Sequence, residues 1–223
     1  MAFLYALPGA VAEGLIWGLM AIGVYISYKI LDIADLTVDG SICTGGAVAA
    51  LLIINGVPVY IAMIAAFCAG ALAGLLKTLY NVNVVISGIM LNWITLYLTN
   101  LILGTVKSPT SPYTKPLMGT NNSALIPNLG LGSLFGGESS ITIAIPLAIL
   151  ITVLIWVILN KTRFGYELKA TGNNKNAAKY CGMAEKRNTI VTLAISGALA
   201  GMGAALLYLT GFEQWQCSTS SVP

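Results

Sequence analysis

The chain has 223 residues, of which 57% are hydrophobic and only 9% are charged, with a formal net charge of +3. A water-soluble domain of this length needs more polar surface than this composition provides. The chain contains no histidine, which excludes Ser–His and Cys–His catalytic pairs and histidine-ligated metal sites. We therefore expect a protein that is embedded in a membrane.

Six apolar segments predict transmembrane helices. The segments cover residues 11–31, 42–54, 59–76, 82–103, 141–159 and 189–208. The last four contain no Asp, Glu, Lys or Arg, and each is close to the ~20 residues that a helix needs to cross a bilayer. Because the segments are continuously apolar rather than alternating, they favour helices over a transmembrane barrel. The predicted fold class is an all-α polytopic transmembrane helix bundle, forming one domain over residues 1–223.

Three carboxylates separate the first two predicted spans. Asp32, Asp35 and Asp39 lie between apolar residues, just before the short second span at residues 42–54. This segment is either a solvated loop or a discontinuous piece of helix that faces a transport pathway. Both interpretations stay open at this point. The spacing of the three carboxylates matches no Mg²⁺-dependent transfer site that we recognise.

The distribution of basic residues predicts the orientation in the membrane. Residues 160–188 contain seven of the eleven Lys and Arg residues and two Glu residues, a net charge of +5. Basic loops are retained on the cytoplasmic side, so we expect this loop to be cytoplasmic. Alternating the spans outward from it makes residues 104–140 an external loop. The same alternation places the N-terminus outside.

Pairs of glycines four residues apart predict close helix packing. The pairs are Gly14 with Gly18, Gly70 with Gly74, and Gly197 with Gly201. Glycines at this spacing let two helix backbones approach each other in lipid. Packing within the bundle is favoured over a dimer interface. The sequence Gly-Ala-Leu-Ala-Gly occurs at both residues 70–74 and 197–201, either as the trace of an inverted repeat or by coincidence.

Polar side chains share one face of the span at residues 82–103. Gly88, Asn92, Thr95 and Thr99 fall within about 60° of one another on a helix with 3.6 residues per turn. Polar groups in hydrocarbon need partners. The face is therefore either a set of hydrogen bonds between helices or the lining of a path for a polar solute.

The basic loop contains signals for a short amphiphilic helix. Asn174 is a suitable N-cap, and Gly182 is a suitable stop after residues 175–181. The four cysteines are widely spaced, which favours neither a disulfide framework nor a zinc site. No phosphate-binding loop of the Gly-x-x-x-x-Gly-Lys-Ser/Thr type occurs, so any ATP would be bound by another chain.

This loop carries a specific resemblance. Residues 163–183, followed by Lys186, Arg187 and Asn188, resemble the cytoplasmic loop of permeases of ATP-binding-cassette importers of the ribose and branched-chain amino acid type. Residues 81–93 and 196–201 resemble the nucleoside-importing permeases of that family. Residues 14–25 and 31–41 are closer to permeases of aromatic amino acid importers. Because these permeases are longer, the resemblance leads us to expect that the chain is incomplete at its C-terminus.

The resemblance implies roles for individual residues. It places six loop residues at a coupling contact with an ATPase: Glu167, Gly172, Asn173, Asn176, Ala177 and Ala178. It also places Asp35, Thr37 and Ser41 near the translocation path. To these we add Asn92, Thr95 and Thr99 from the polar face described above. No catalytic residue and no metal ligand is expected in this chain.

The resemblance also implies an assembly. The chain would be the permease subunit of an importer for a small polar solute, with a nucleoside preferred over amino acids or simple sugars. The expected partners are cytoplasmic ATP-binding subunits that hold ATP and Mg²⁺, a second permease subunit in a homodimer or heterodimer, and an external solute-binding protein, with no nucleic acid. The expected location is the bacterial plasma membrane. The rival classes are an ATP-independent transporter or channel, using Glu13 or Asp35 as an ion site, and a membrane-bound enzyme.

Overall fold

The computed structural model describes residues 2–33, 35, 38–79, 84–104 and 142–212. These residues form helices and connecting turns, with no strand among them. The eight α-helices are α1 (Ala2–Tyr25), α2 (Val38–Ile54), α3 (Val59–Leu79), α4 (Val84–Leu103), α5 (Ala144–Lys161), α6 (Arg163–Asn173), α7 (Lys175–Tyr180) and α8 (Glu185–Leu207). Wider π-helical turns continue α1 over Ile26–Ile30 and α8 over Tyr208–Phe212. The predicted all-α bundle is confirmed.

Each of the six predicted spans coincides with a helix. Three helices in the described part of the chain are long and apolar enough to cross a membrane, namely Leu7–Ile30, Ala144–Lys161 and Glu185–Thr210. Three shorter apolar helices cover Val38–Ile54, Val59–Leu72 and Gly88–Leu103. The outer faces of α4 and α5 expose large apolar side chains such as Leu101, which is 74% exposed. Such faces suit contact with lipid.

The second span begins earlier than predicted. Helix α2 starts at Val38 rather than at residue 42, so it has 17 residues and includes Asp39 in its first turn. A carboxylate there is stabilised by the positive end of the helix dipole. The Asp-rich segment is therefore divided. Asp39 belongs to a helix, whereas Asp32 and Asp35 lie in the non-helical connection that precedes it.

Helix α8 is the centre of the bundle and packs against α3, α2 and α1. Small residues allow these helices to pack closely. A Cβ atom added to Gly70 of α3 would overlap the carbonyl oxygen of Gly197 in α8, and the reverse substitution would overlap the carbonyl oxygen of Gly70. A Cβ atom added to Gly45 of α2 would likewise overlap the backbone of Gly201. The two copies of Gly-Ala-Leu-Ala-Gly thus lie on helices that pack against each other.

The glycine contacts also give the relative directions of the helices. Gly201 of α8 lies against Ala66 and Gly197 lies against Gly70, so α3 and α8 are antiparallel. Ser41 lies beside Gly197 in the same way that Gly45 lies beside Gly201, so α2 and α8 are parallel. These directions agree with the predicted alternation of spans. Which end faces the cytoplasm stays a prediction.

The glycine pair of α1, Gly14 and Gly18, is placed differently. A Cβ added to Gly14 or Gly18 would meet no other atom within 4 Å. These two glycines therefore do not pack closely against the described part of the chain, which departs from our expectation for this pair. The surroundings of Gly74 and the predicted external loop beyond Gly104, up to residue 141, lie outside what the structure describes.

Two apolar clusters occupy the two ends of the bundle. One contains Ile16 and Leu19 of α1 together with residues of α2, α3, α5 and α8. The other lies beside α6 and includes Leu168, which is fully buried among residues of α1, α5 and α8. Its other buried members are Ile26, Leu31, Ile33, Ile155, Leu159 and Leu199. Burial of Leu168 fixes the basic loop on the end of the membrane helices.

Candidate functional site

A polar cluster lies inside the bundle where the connection between α1 and α2 meets α8. The hydroxyl of Ser196 donates a hydrogen bond to Oδ2 of Asp35 at 3.4 Å. Ser196 is buried and lies eleven residues after the start of α8, which is about 16 Å along the helix axis. The carboxylate of Asp35 therefore reaches into the bundle and does not stay at its end.

The first turn of α2 joins this cluster and brings α4 to it. Asn92 and Thr95 of α4 face Gly40, since a Cβ there would lie 3.0 Å from Oδ1 of Asn92 and 3.5 Å from Cβ of Thr95. Ser41 is buried, and its hydroxyl has no hydrogen-bond partner among the described residues. The polar face of α4 thus packs on the start of α2.

One predicted path residue stands apart from the cluster, and another cannot be placed. Thr99 is buried, and its hydroxyl donates to the carbonyl oxygens of Thr95 and Leu96 in its own helix. Its polarity is therefore satisfied locally, as is common for Thr in membrane helices. Thr37 lies outside the described residues. The structure thus pairs Asp35 with Ser196, and Gly197, the next residue, lies beside Ser41 at the start of α2, where Asn92 and Thr95 pack. We call these five side chains the polar cluster.

The cluster combines a carboxylate, hydroxyls and a carboxamide in apolar surroundings. These groups can donate and accept hydrogen bonds, and buried polar groups of this kind in a membrane helix bundle are characteristic of solute and ion pathways. Ser196 was not among the residues that we predicted from sequence. The signal was present, because Ser196 is a polar residue in an uncharged span, next to Gly197.

The basic loop folds as two helices and is firmly attached to the bundle. Thr162 caps α6 by accepting a hydrogen bond from the backbone N–H of Gly165 at 3.3 Å. The ammonium group of Lys169 donates to Oδ1 of Asn160 at 2.8 Å, which ties α6 to the end of α5. A Cβ on Gly165 would overlap backbone oxygens of α5. The sequence predicted one short helix here, and the structure contains two.

The second loop helix, α7, forms as predicted. Oδ1 of Asn174 accepts a hydrogen bond from the backbone N–H of Ala177 at 3.0 Å. At the other end, Gly182 has φ of 75° and its N–H donates to the carbonyl oxygen of Lys179 at 3.1 Å. The positive φ explains why a glycine stands here. The N-cap and the glycine stop that we predicted are both confirmed.

One side of the loop is open to a partner. We call it the α7 face, and its exposed residues are Asn173, Lys175, Asn176, Ala177, Lys179 and Tyr180. Tyr180 is 92% exposed. An exposed tyrosine among lysines and asparagines is a composition that suits a protein contact, because Tyr supplies a large contact area at low entropic cost.

The opposite side of α6 holds an ionic cluster. The carboxylate of Glu167 is 12% exposed and lies 2.8 Å from Nε of Arg163 and 3.8 Å from a terminal nitrogen of Arg187. Nδ2 of Asn188 donates to Glu167 at 3.5 Å and to Thr171 at 3.4 Å. A cleft of about 590 Å³ opens beside these groups. It is lined by Arg163, Tyr166, Glu167, Cys181, Gly182, Met183, Ala184 and Arg187.

The six predicted coupling residues divide into two groups. Asn173, Asn176 and Ala177 belong to the exposed α7 face. The other three point into the protein: Glu167 toward the arginines, Gly172 against the backbone of Ile30 and Leu31, and Ala178, which is 3% exposed. The first group is exposed to a docking partner, and Glu167 also lines the cleft beside the arginines. The role of all six at an ATPase contact stays a prediction.

Comparison with known proteins identifies the family. The family described as "Branched-chain amino acid transport system / permease component" matches residues 8–221. A tyrosine transport system permease protein of Clostridioides difficile is 33% identical over 200 residues, covering 87% of this chain and 61% of the relative. A guanosine ABC transporter permease protein of Bacillus subtilis is 35% identical over 164 residues, covering 70% and 46%.

A third relative is a nucleoside ABC transporter permease protein of Lactococcus lactis, 32% identical over 162 residues, covering 70% of this chain and 43% of the relative. The chain therefore spans about half the length of these relatives. No solved structure matches it. The family match extends over nearly the whole chain, from within α1 to beyond α8. This protein belongs to the family of permease components of branched-chain amino acid transport systems.

Proposed function

We propose that this chain is the membrane-spanning subunit of an ATP-driven importer and that it contributes to the path of a small polar solute. The observation that carries the proposal is the α7 face, an exposed helix on a loop that is anchored to three membrane helices. Such a loop can receive force from a soluble partner and deliver it to the bundle. Family membership supports this function.

The proposed partners follow from the same arrangement. An ATP-binding subunit, holding ATP and Mg²⁺, docks on the α7 face from the cytoplasm, and the net charge of +5 over residues 160–188 favours an acidic docking surface. A second permease subunit, identical or different, completes the pathway. An external binding protein delivers the solute. ATP hydrolysis belongs to the partner, and the complex lies in the bacterial plasma membrane.

The proposed solute is a nucleoside. Two of the relatives are described as guanosine and nucleoside permeases. The polar cluster at Asp35, Asn92 and Ser196 offers both donors and acceptors, which suits the sugar hydroxyls and base edge of a nucleoside. An amino acid is the second candidate, because the relative described as a tyrosine permease covers 87% of this chain.

Association with the ATPase is the first test. The chain is co-expressed with an ATP-binding subunit encoded beside it and purified in detergent. In Ala177→Glu, a carboxylate is placed on the exposed α7 face, and we expect at least a tenfold loss of bound ATPase, which corresponds to about 1.4 kcal/mol. Ala177→Ser is the matched control, because it keeps the site small and uncharged.

A second control separates docking from folding. Ala178 is the neighbour of Ala177 but is buried, so Ala178→Glu should lower the yield of folded chain. Ala177→Glu should leave that yield unchanged. If the parent chain binds no ATPase, or if Ala177→Glu binds it as well as Ala177→Ser does, the α7 face is not the docking site.

The solute is tested separately in proteoliposomes that contain the complete transporter. We expect ATP-dependent uptake of a radiolabelled nucleoside, inhibited by excess unlabelled nucleoside and not by tyrosine. Inhibition by tyrosine alone would favour the amino acid function. Uptake that continues without the ATPase would instead indicate an ATP-independent transporter.

A further inference from the structure

Gly172 connects the loop directly to the backbone of α1. A Cβ atom at residue 172 would overlap the carbonyl oxygen of Ile30, and it would lie 3.3 Å from Cα of Leu31. Helix α6 therefore rests on the last turn of α1 with no side chain between the two backbones. A contact of this kind transmits small displacements, because packed backbones have no rotamers that could absorb them.

The chain that follows Ile30 returns into the bundle. At the end of the π-helical turn, the N–H of Leu31 donates to the carbonyl oxygen of Ile26 at 3.2 Å. The N–H of Ile33 donates to the backbone carbonyl oxygen of Ser27 at 3.1 Å. Asp32 between them has φ of 54°, a left-handed conformation that costs energy for a residue other than glycine. This sharp reversal brings Asp35, only five residues after Ile30, to Ser196 in the polar cluster.

The other contacts of α6 make it a rigid platform for this connection. Leu168 is buried in the same apolar cluster as Leu31 and Ile33. Asn188 is fully buried and bonds α6 to the start of α8 through Glu167 and Thr171. A displacement of α6 therefore carries the end of α1 along with it.

We infer that Gly172 is a positioning residue, which passes movement of α6 through the backbone of Ile30 and Leu31 toward the carboxylate of Asp35. The inference rests on the proposed function, since it requires a partner that moves the loop. Loop movement then opens or closes the contact between Asp35 and Ser196 beside the start of α2. On this basis Gly172 transmits movement to the solute path, whereas the α7 face contacts the ATPase.

The test uses the complete transporter in proteoliposomes. The variant is Gly172→Ala, and the matched control is Gly18→Ala, the same change in α1 at a helical position where a Cβ meets nothing within 4 Å. Two quantities are measured, the ATPase bound per permease and the number of solute molecules imported per ATP hydrolysed. For Gly172→Ala we expect ATPase binding within twofold of the parent and at least a fivefold loss of import per ATP. Gly18→Ala should keep the parental ratio.

A labelling experiment reports on the path itself. All native cysteines are replaced, and a single cysteine is placed at Asp39, an exposed position in the first turn of α2. In the parent we expect its maleimide labelling rate to change at least threefold when a non-hydrolysable ATP analogue is added. In Gly172→Ala the change should fall below 1.5-fold, although the ATPase still binds.

Ser196→Ala keeps the test decisive if Gly172→Ala does not fold. It removes the hydrogen bond to Asp35 without adding an atom, and we expect at least a threefold loss of import per ATP. If the variants import as much solute per ATP as the parent and show the same change in labelling rate, this inference is wrong and the proposed function stands. A parent that binds no ATPase overturns the proposed function and this inference together.

Discussion

The contact between α3 and α8 gives a quantitative prediction for the variant Gly197→Ala. The added methyl group would overlap the carbonyl oxygen of Gly70 and lie 3.2 Å from the hydroxyl of Ser41. The first neighbour is a backbone atom and cannot rotate away. The two helices must therefore separate along the line of small residues that joins them.

The expected cost follows from two opposing effects. Overpacking a close contact costs about 1–3 kcal/mol. Alanine is a better helix former than glycine, which returns about 1 kcal/mol. We therefore expect Gly197→Ala to lower the free energy of unfolding by up to about 2 kcal/mol. For a chain of this size that corresponds to a melting temperature lower by up to about 8 °C.

The assay is thermal unfolding in detergent, and the extent of unfolding is measured by labelling cysteines that become exposed. Gly14→Ala is the matched control, because a Cβ at residue 14 meets nothing within 4 Å and only the gain in helix propensity remains. Its melting temperature should be unchanged or higher. Equal melting temperatures for the two variants would refute the argument that α3 and α8 depend on backbone contact at Gly197.

Three further predictions concern the loop and the polar cluster. Raising the salt concentration from about 0.1 M to about 1 M shortens the Debye length from about 10 Å to about 3 Å, which weakens attraction to the basic loop. The amount of ATPase that co-purifies with the chain in pull-down experiments should therefore fall several-fold. Asn188→Ala should lower the free energy of unfolding by about 1–3 kcal/mol, because Asn188 is buried and donates a hydrogen bond to Glu167. Arg163→Ala should change the free energy of unfolding little, because the arginine in the Arg163–Glu167 ion pair is exposed. Thr99→Val should leave uptake unchanged, because that hydroxyl bonds its own helix, whereas Asn92→Leu should reduce uptake about fivefold or more. Unfolding in detergent and uptake kinetics check the last two.

Much of the fold could be predicted from local sequence. Uncharged segments of about 20 residues in a chain with so little charge can only be membrane helices, because an unpaired backbone is too costly in lipid. The caps of α7 were also predictable, since Asn174 and Gly182 act on their immediate neighbours. The start of α2 was placed too late, because Asp39 was assigned to the segment before the span, whose structure was left open, and not to a helix N-terminus that its charge stabilises.

The candidate site was predictable only in part. Residue type and helical spacing put Asn92 and Thr95 on one face, and the structure places both against the start of α2. The same spacing grouped Thr99 with them, although its hydroxyl is satisfied within α4. Spacing defines a face of one helix, and it does not show which positions on that face meet a neighbour.

Sequence alone determined that this chain is a helical membrane protein, where its spans lie and which loop is basic, since these properties depend on local composition. Only the tertiary structure decided that Gly197 packs on Gly70 while Gly14 faces open space, although both belong to the same short motif. It also decided that Gly172 contacts α1 and not the exposed α7 face. The reason is that close approach depends on two backbones meeting, and the partner of each glycine lies more than one hundred residues away along the chain.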